Sequence, residues 1–428
     1  MATYTPRTLQ LISVVFLATL IAACGVNPVT GERELRLISE QEEIKLGEEN
    51  YQPTLQSQGG YYYLDPALNE YVNDVGQALA AESDRPDLPY EFKVLNSNVP
   101  NAWALPGGKI AINRGLLLEL ENEAQMAAVL GHEIVHSAAR HGAQRMQRGM
   151  LVNIGMAGLG VGVLLSDNQY APLILGGAAL GAHLTMARYS RSQELEADLY
   201  GTRYMHAAGY DPSEAITLQE IFLRMSEGRR TDFLSGLFQS HPPSEERVQE
   251  NQKTARRLGP EGRIGEEKYQ QMIAGIREAK PAYDTFDDAR RARRDKDLDK
   301  AMTLVEQALE KVPNEAAFLS FRGDLLKEKG EKKRAMDDYN AAVNLYPDMF
   351  SYTLSRGLLH RELENWAEAE ADFKNSIDSV PTSLAYLGLG DAVAAQGRRD
   401  EARQHYQTAA QADNWAGQEA RKRLEEMG

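Results

Sequence analysis

The sequence predicts a mainly α protein: an α+β unit with a small sheet, followed by an α-solenoid. Three observations carry this. The chain has 428 residues, too many for one ordinary core and suited to two or three units. Helical periodicity in the first half is interrupted by two short strand-like runs, 90–95 and 109–113. The last third repeats itself every 34 residues. Composition is that of a folded chain, 43% apolar and 25% charged. A net charge of −15 argues against nucleic acid as a partner, and the chain lacks a polybasic patch for a membrane surface.

The N-terminus is read first. Arg7 is the one charged side chain among residues 1–8, an apolar stretch runs from Leu9 to Leu20, and Leu20-Ile21-Ala22-Ala23-Cys24 follows. This is the layout of a secretory signal peptide, 1–23, and is short for a membrane span. Cys24 is the only cysteine, so no internal disulfide is available to it. The small-small-Cys ending resembles a bacterial lipoprotein box. That resemblance implies cleavage before Cys24 and lipid on its thiol, and Gly25 in place of Asp resembles lipoproteins sorted to the outer membrane. The alternative is an ordinary signal with a chance cysteine. Residues 24–35, mostly polar with Pro28 and Gly31, read as a lipidated tether.

Residues 36–280 read as one domain. Residues 38–50 and 66–81 read as amphipathic helices. The strand runs 90–95 and 109–113 flank the turn Pro106-Gly107-Gly108. Asn122 with Gln125 marks a helix start, and that helix is expected to reach about Arg148. Residues 150–187 form two Gly/Ala/Leu-rich blocks, read as a tightly packed helical hairpin or as one dipping into lipid. Helices are expected at 192–208 and from Asp211-Pro212 to about Gly228. His241-Pro242-Pro243 reads as a loop, and Lys280-Pro281 as a domain boundary.

From 283 to 428 the chain repeats. Pro313, Pro347 and Pro381 keep the 34-residue step, as do Ala301, Ala335 and Ala369, and Val305, Tyr339 and Phe373. A fourth copy, Ala402 and Tyr406, follows one residue early. Ala308, Ala342, Ser376 and Ala409 complete the pattern, which resembles the tetratricopeptide repeat. About four units of paired helices are implied, each burying its face only against its neighbours. The basic run Arg290, Arg291, Arg293, Arg294 reads as a solvated helix face.

The chemistry is carried by His132-Glu133-Ile134-Val135-His136. Histidines four apart on a helix share a face and can hold one ion. Glu133 lies beside the first ligand, where it can take a proton from a water activated by zinc and return it to the leaving amine. The flanks, Ala127 to Gly131 and Ile134-Val135, are uncharged and suit burial. An open catalytic site needs a third protein ligand. Ala139 and Gly142 stand where the metzincin continuation requires Gly and His, which rejects that class. His141 reads as pointing away from the pair, a surface or outer residue. In Ser190-Arg191-Ser192-Gln193-Glu194-Leu195-Glu196-Ala197-Asp198, Glu194 and Asp198 share a face. Glu194 can ligate while Asp198 bonds a ligand histidine and fixes its tautomer. Glu196 reads as helix surface. His183, His206, His360 and His405 have no partner motif.

A His-Glu-x-x-His helix followed, after a hydrophobic stretch, by Glu-x-x-Ala-Asp resembles the M48 peptidase family. With its repeat tail the chain resembles the exported, BepA-like members. The resemblance covers nearly the whole mature chain and implies a zincin-type catalytic domain holding one Zn2+ through His132, His136 and Glu194. Residues 101–108 resemble that family's edge strand beside the cleft, able to hold an extended peptide. His241-Pro242-Pro243-Ser244, with Arg247, also resembles this subgroup. There the loop histidine takes the fourth zinc position and plugs the site, and Arg247 orients the loop or binds an oxyanion. The lipoprotein signal departs from soluble members and places the chain on the periplasmic side of the outer membrane, with a soluble periplasmic protein as the alternative. The leading expectation is a zinc endopeptidase acting on misfolded outer-membrane proteins, with repeats that engage substrate or the assembly machinery. An alternative of another class is a chaperone or assembly scaffold with a latent metal site. A third is an intramembrane protease, resting on 150–187.

Overall fold

The computed structural model describes residues 24–147, 188–228 and 235–428. The signal, the 150–187 stretch and His183 lie outside the described residues. Two short strands open the chain, β1 (Cys24–Val26) and β2 (Arg33–Leu35), paired antiparallel with Gly25 opposite Glu34. Residues 24–35, expected as a lipidated tether, carry this paired hairpin. The Asn27 side chain accepts from the Val29 N–H at 2.9 Å, and Gly31 supplies the positive φ of 74° that closes the turn.

Helix α1 (Glu40–Ser57) starts on a reciprocal cap between Ser39 and Glu42. Helix α2 (Pro66–Ala81) starts on Asp65 with proline in the first turn. Three strands follow: β3 (Glu91–Leu95), β4 (Ala102–Leu105) and β5 (Lys109–Asn113). Their order is β3-β5-β4, with β3 parallel and β4 antiparallel to β5, so β4 is an edge as the resemblance implied. Gly107 and Gly108, at φ 76° and 83°, make the β4–β5 turn.

Helix α3 (Glu123–Ala138) is buried along all its residues, which explains its uncharged flanks. It stops at Ala138, ten residues before the expected end. Arg140 adopts φ 61°, and helix resumes at His141. Helix α4 (Arg191–Ala207) lies against α3. At the crossing, a Cβ on Gly201 would sit 2.7 Å from the His132 backbone nitrogen, and one on Gly131 2.8 Å from the Gly201 oxygen. Two glycines thus let the helices meet directly beside His132. Helices α5 (Glu214–Gly228) and α6 (Glu245–Leu258) complete the surroundings of the site.

Helix α7 (Ala274–Arg294) runs straight through the expected boundary at Lys280-Pro281. Proline within a helix costs roughly 3 kcal/mol, but buried Ile276, Ala282 and Tyr283 hold this one in place. Helices α7 to α14 form four antiparallel pairs, with ranges α8 (Leu298–Lys311), α9 (Ala316–Glu328), α10 (Lys332–Leu345), α11 (Phe350–Glu362), α12 (Trp366–Ser379), α13 (Ser383–Ala395) and α14 (Arg399–Ala409). Helix α15 (Trp415–Glu426) covers the last pair. The recurring small and aromatic positions, from Ala301 to Ala409, are buried between helices. Arg293 pairs with Asp324 and Glu328, and Arg290 and Arg291 with Asp287 and Asp288, so the basic run is a solvated face.

The two units share a core that continues from the sheet to Tyr352. The Tyr63 hydroxyl donates to the Asn314 carbonyl and accepts from the Ala316 N–H, both at 2.8 Å. The Gln56 side chain does the same between the Asp348 carbonyl and the Phe350 N–H. No helix among the described residues is long and apolar enough to cross a membrane.

Candidate metal centre

Four donors converge from three segments: His132 and His136 on α3, Glu194 in the first turn of α4, and His241 just before α6. One ligand atom from each lies within 4.8 Å of all the others, and all four residues are buried. The cap of α3 is Asn122, accepting from the Gln125 N–H at 2.9 Å, while the Gln125 side chain reaches back to the Glu121 N–H at 2.8 Å. That of α4 is a reciprocal pair between Ser190 and Gln193. The short helix Ser235–Ser240 ends where the His241 N–H bonds the Leu237 carbonyl at 2.7 Å. Pro242-Pro243 then prevents continuation, and Ser244 caps α6.

The distances test whether a metal fits. His132 Nε2 is 3.0 Å from His136 Nε2 and 3.2 Å from His241 Nδ1, and His241 Nδ1 is 3.1 Å from Glu194 Oε1. The outward nitrogen of each helix histidine already has a partner: Asp198 for His132 at 2.9 Å, His141 for His136 at 2.8 Å. When those nitrogens carry the hydrogens, the inward nitrogens present bare lone pairs to one another, and a shared cation removes that repulsion. Charge points the same way. The carboxyls of Glu133, Glu194 and Asp198 are buried around one buried guanidinium, Arg247. Among the described residues these buried carboxyls outnumber the one guanidinium, and that excess of negative charge suits a divalent ion. The residues therefore fit a metal.

Burial opposes ionisation of Glu194, but the His241 and Arg247 charges outweigh it and hold the carboxyl well below its usual range. Asp198 is lowered likewise by Arg247 and His132 against its burial. Burial pushes His136 well down, keeping it neutral as a ligand must be. Burial also raises Glu133, only partly offset by His241 and His132. His241 is raised, because Glu194 and Glu133 outweigh burial. A cation among these donors supplies the same positive charge and leaves that imidazole neutral.

Glu133 is not among the four donors. Its Oε2 is buried without a hydrogen-bond partner among the described residues, and its Oε1 lies 3.5 Å from His241 Nε2. Arg247 grips Asp198 through Nε and Nη2, both at 2.7 Å, reaches Glu194 Oε2 at 2.9 Å, and donates to the Pro242 carbonyl at 3.3 Å. These contacts tie the guanidinium to both acids of α4 and to the loop that carries His241.

Of the two readings of His141, surface or outer residue, the structure matches the second: it is buried and bonds His136. Two further contacts were not foreseen. Glu196, expected as plain helix surface, lies 3.3 Å from His141. Tyr189 stacks on His136 with ring centroids 3.7 Å apart and planes at 17°. A residue count along an uninterrupted helix sends His141 elsewhere; the left-handed turn at Arg140 brings it back. Tyr189 carries no sequence signal.

A buried His-Glu-x-x-His helix joined by a carboxylate from the next helix defines the metallopeptidase class. Comparison with known proteins narrows this. Residues 66–255 match Peptidase family M48, and residues 286–350 and 354–417 match the tetratricopeptide repeat. The chain is 30% identical over 188 residues to Metalloprotease LoiP of Escherichia coli K12, covering 44% of this chain and 71% of that one. The chain belongs to peptidase family M48. It is also 28% identical over 200 residues to the beta-barrel assembly-enhancing protease of the same organism, covering 46% of this chain and 40% of that one. With the mitochondrial metalloendopeptidase OMA1 of Schizosaccharomyces pombe it shares 30% identity over 224 residues, covering 52% and 63%. The chain thus spans less than half the length of the assembly-enhancing relative it matches.

Proposed function

We propose that this chain is a zinc endopeptidase of the bacterial cell envelope that degrades misfolded or stalled outer-membrane proteins. The observation that carries the reading is Glu133: a buried carboxylate with an unengaged oxygen beside four convergent donors. His132, His136 and Glu194 would hold the zinc, one per chain, and His241 would take the fourth place. When bound, zinc polarises the scissile carbonyl and makes water acidic. Glu133 accepts the proton of the attacking water and passes it to the leaving amine, a double role suited to a carboxyl whose pKa burial has raised. Asp198 fixes the His132 tautomer, and Arg247 fixes Asp198.

His241 stands against Glu133, where water and the substrate carbonyl have to meet. That position supports reading His241 as a plug, with activity requiring it to leave. The edge strand β4 is suited to hold an extended peptide beside the cleft. The repeats would bring the substrate or the assembly machinery. A cavity of about 480 Å3 between them and the catalytic unit, lined by Asn98, Arg114, Phe286, Phe321 and Tyr352, supports such a binding role. The assembly-enhancing relative's name supports the substrate class, and Cys24 supports attachment by lipid to the periplasmic side of the outer membrane.

The test is Glu133→Gln in the full chain. It is expected to bind zinc like wild type while losing at least about 100-fold in peptide-bond cleavage. Undiminished cleavage would overturn the reading. The closed donor set favours one alternative, a chaperone or scaffold with a latent site. Full complementation of a deletion by Glu133→Gln would establish that alternative. His241→Ala is expected to raise the cleavage rate, and an unchanged rate with unchanged metal geometry by X-ray absorption would remove the plug.

A further inference from the structure

His141 and Glu196 stand behind a ligand, and the reaction outlined above gives neither a task. We propose that they form a relay that sets the tautomer and orientation of His136: His141 accepts from the outward nitrogen of His136, and Glu196 receives the remaining ring hydrogen of His141. The proposal rests on the reading of His136 as a zinc ligand.

The two outward nitrogens, His136 Nδ1 and His141 Nδ1, are 2.8 Å apart, so one hydrogen lies between them. For His136 Nε2 to offer its lone pair inward, that hydrogen belongs to His136. His141, neutral, then carries its own hydrogen on Nε2. That atom is 3.3 Å from Glu196 Oε1, a buried oxygen that makes no hydrogen bond among the described residues, so the carboxylate stands within reach of the His141 hydrogen with no other bond to give up. The order of hydrogens is thus determined from the metal position outward to the carboxylate.

The other ligand is supported in parallel. His132 meets a carboxylate directly, Asp198. His136 meets one through an interposed imidazole. Both carboxylates come from α4, two positions apart, and Glu194 is a further two positions before Glu196. One short helical segment therefore supplies a ligand and the outer support of both histidines. Outer partners of this kind orient the ring and raise the basicity of the ligating nitrogen.

The chain positions His141 by construction. Arg140 has φ 61°, and its buried guanidinium donates to Glu43 at 2.8 Å and to the Ile38 carbonyl at 2.5 Å. These contacts hold the reversal that returns His141 beneath His136. Tyr189, stacked on His136, fixes the plane of the ring that His141 then rotates into register.

The experiment uses zinc alone on the full chain. Its affinity is measured by chelator competition for wild type, Glu196→Gln, His141→Ala and His141→Asn, with the visible spectrum of the cobalt-substituted proteins. Zinc is expected to bind about 10-fold more weakly to Glu196→Gln and 10- to 100-fold more weakly to His141→Ala. His141→Asn, whose side-chain oxygen can still accept from His136, is expected to recover most of the loss. The cobalt bands are expected to shift in His141→Ala. Glu196→Gln preserves size and keeps the test open should His141→Ala not fold. Wild-type affinity in both Glu196→Gln and His141→Ala would overturn the relay alone. A wild-type chain that binds no zinc would overturn the ligand reading and the relay with it.

Discussion

Asp198 accepts from His132 and is gripped by two nitrogens of Arg247, so loss of its charge acts in two directions. Asp198→Asn is expected to weaken zinc binding 10- to 100-fold, since the tautomer of His132 is no longer enforced. It also leaves Arg247 short of a buried counter-charge, which costs up to about 3–5 kcal/mol. A lower melting temperature of the metal-free chain measures the second effect, and chelator competition the first. Unchanged zinc affinity would show that Asp198 serves only Arg247. At this scale the sequence was informative where chemistry sets the spacing. His132 and His136 share a helix face by count with Glu133 beside the first, and Glu194 with Asp198 repeats the logic one helix later. Glu196 was misread because its partner lies beyond a turn. Arg140 holds a positive φ without being glycine, so nothing in the residue type announces the reversal.

Helices α3 and α4 touch through Gly131 and Gly201, and the metal donors sit within two turns of that contact. A methyl at Gly201 would lie 2.7 Å from a backbone atom, so a helix has to move. Gly201→Ala is expected to cost about 1–3 kcal/mol and to weaken zinc binding by separating Glu194 from the histidines. Calorimetry and chelator competition check both, and a stable variant with weaker zinc binding would assign the glycine to the site rather than the core. Within the repeats, partial burial works against ionisation of Glu370, but bonds from Arg398, Lys374 and Gln396 outweigh it and hold its pKa at about 2. Unfolded, that carboxyl titrates near its ordinary 4.5. Its contribution to stability is whole above that pH and is lost as pH falls towards 2. The gap in melting temperature between wild type and Glu370→Gln should therefore shrink from pH 7 to pH 3; a constant gap would deny the charge a role. The start of α3 was legible from its cap residue, Asn122, whereas the caps at Ser39, Asp65 and Ser190 emerge from the structure. Ends were not legible. Pro281 reads as a stop, yet packing around Tyr283 outweighs the missing hydrogen bond.

The catalytic unit and the first repeats are one folding body, because the core runs unbroken to Tyr352, whereas the last repeats have a cluster of their own beginning at Ala369. A chain ending after residue 280 is expected to aggregate or lose zinc, whereas one ending after residue 381 is expected to fold and bind it. Equal behaviour of the two truncations would show that the core is divisible. Two units were legible from the 34-residue period, but their fusion was not, since it depends on Gln56 and Tyr63 meeting partners more than two hundred residues away in sequence. The opening hairpin has a consequence of reach. Among the described residues Cys24 itself is paired, with Leu35 opposite, and Asn27 donates to the carbonyl of Ala139 just past the end of α3. A lipid on Cys24 would then leave the cleft no leash: the enzyme would patrol only the layer of periplasm next to the bilayer. A dozen Gly/Ser residues inserted after Gly25 would lengthen that radius by roughly 20 Å. Cleavage of membrane-stalled chains should then fall relative to that of a soluble peptide, and an unchanged ratio would show that proximity to the surface does not select the substrate.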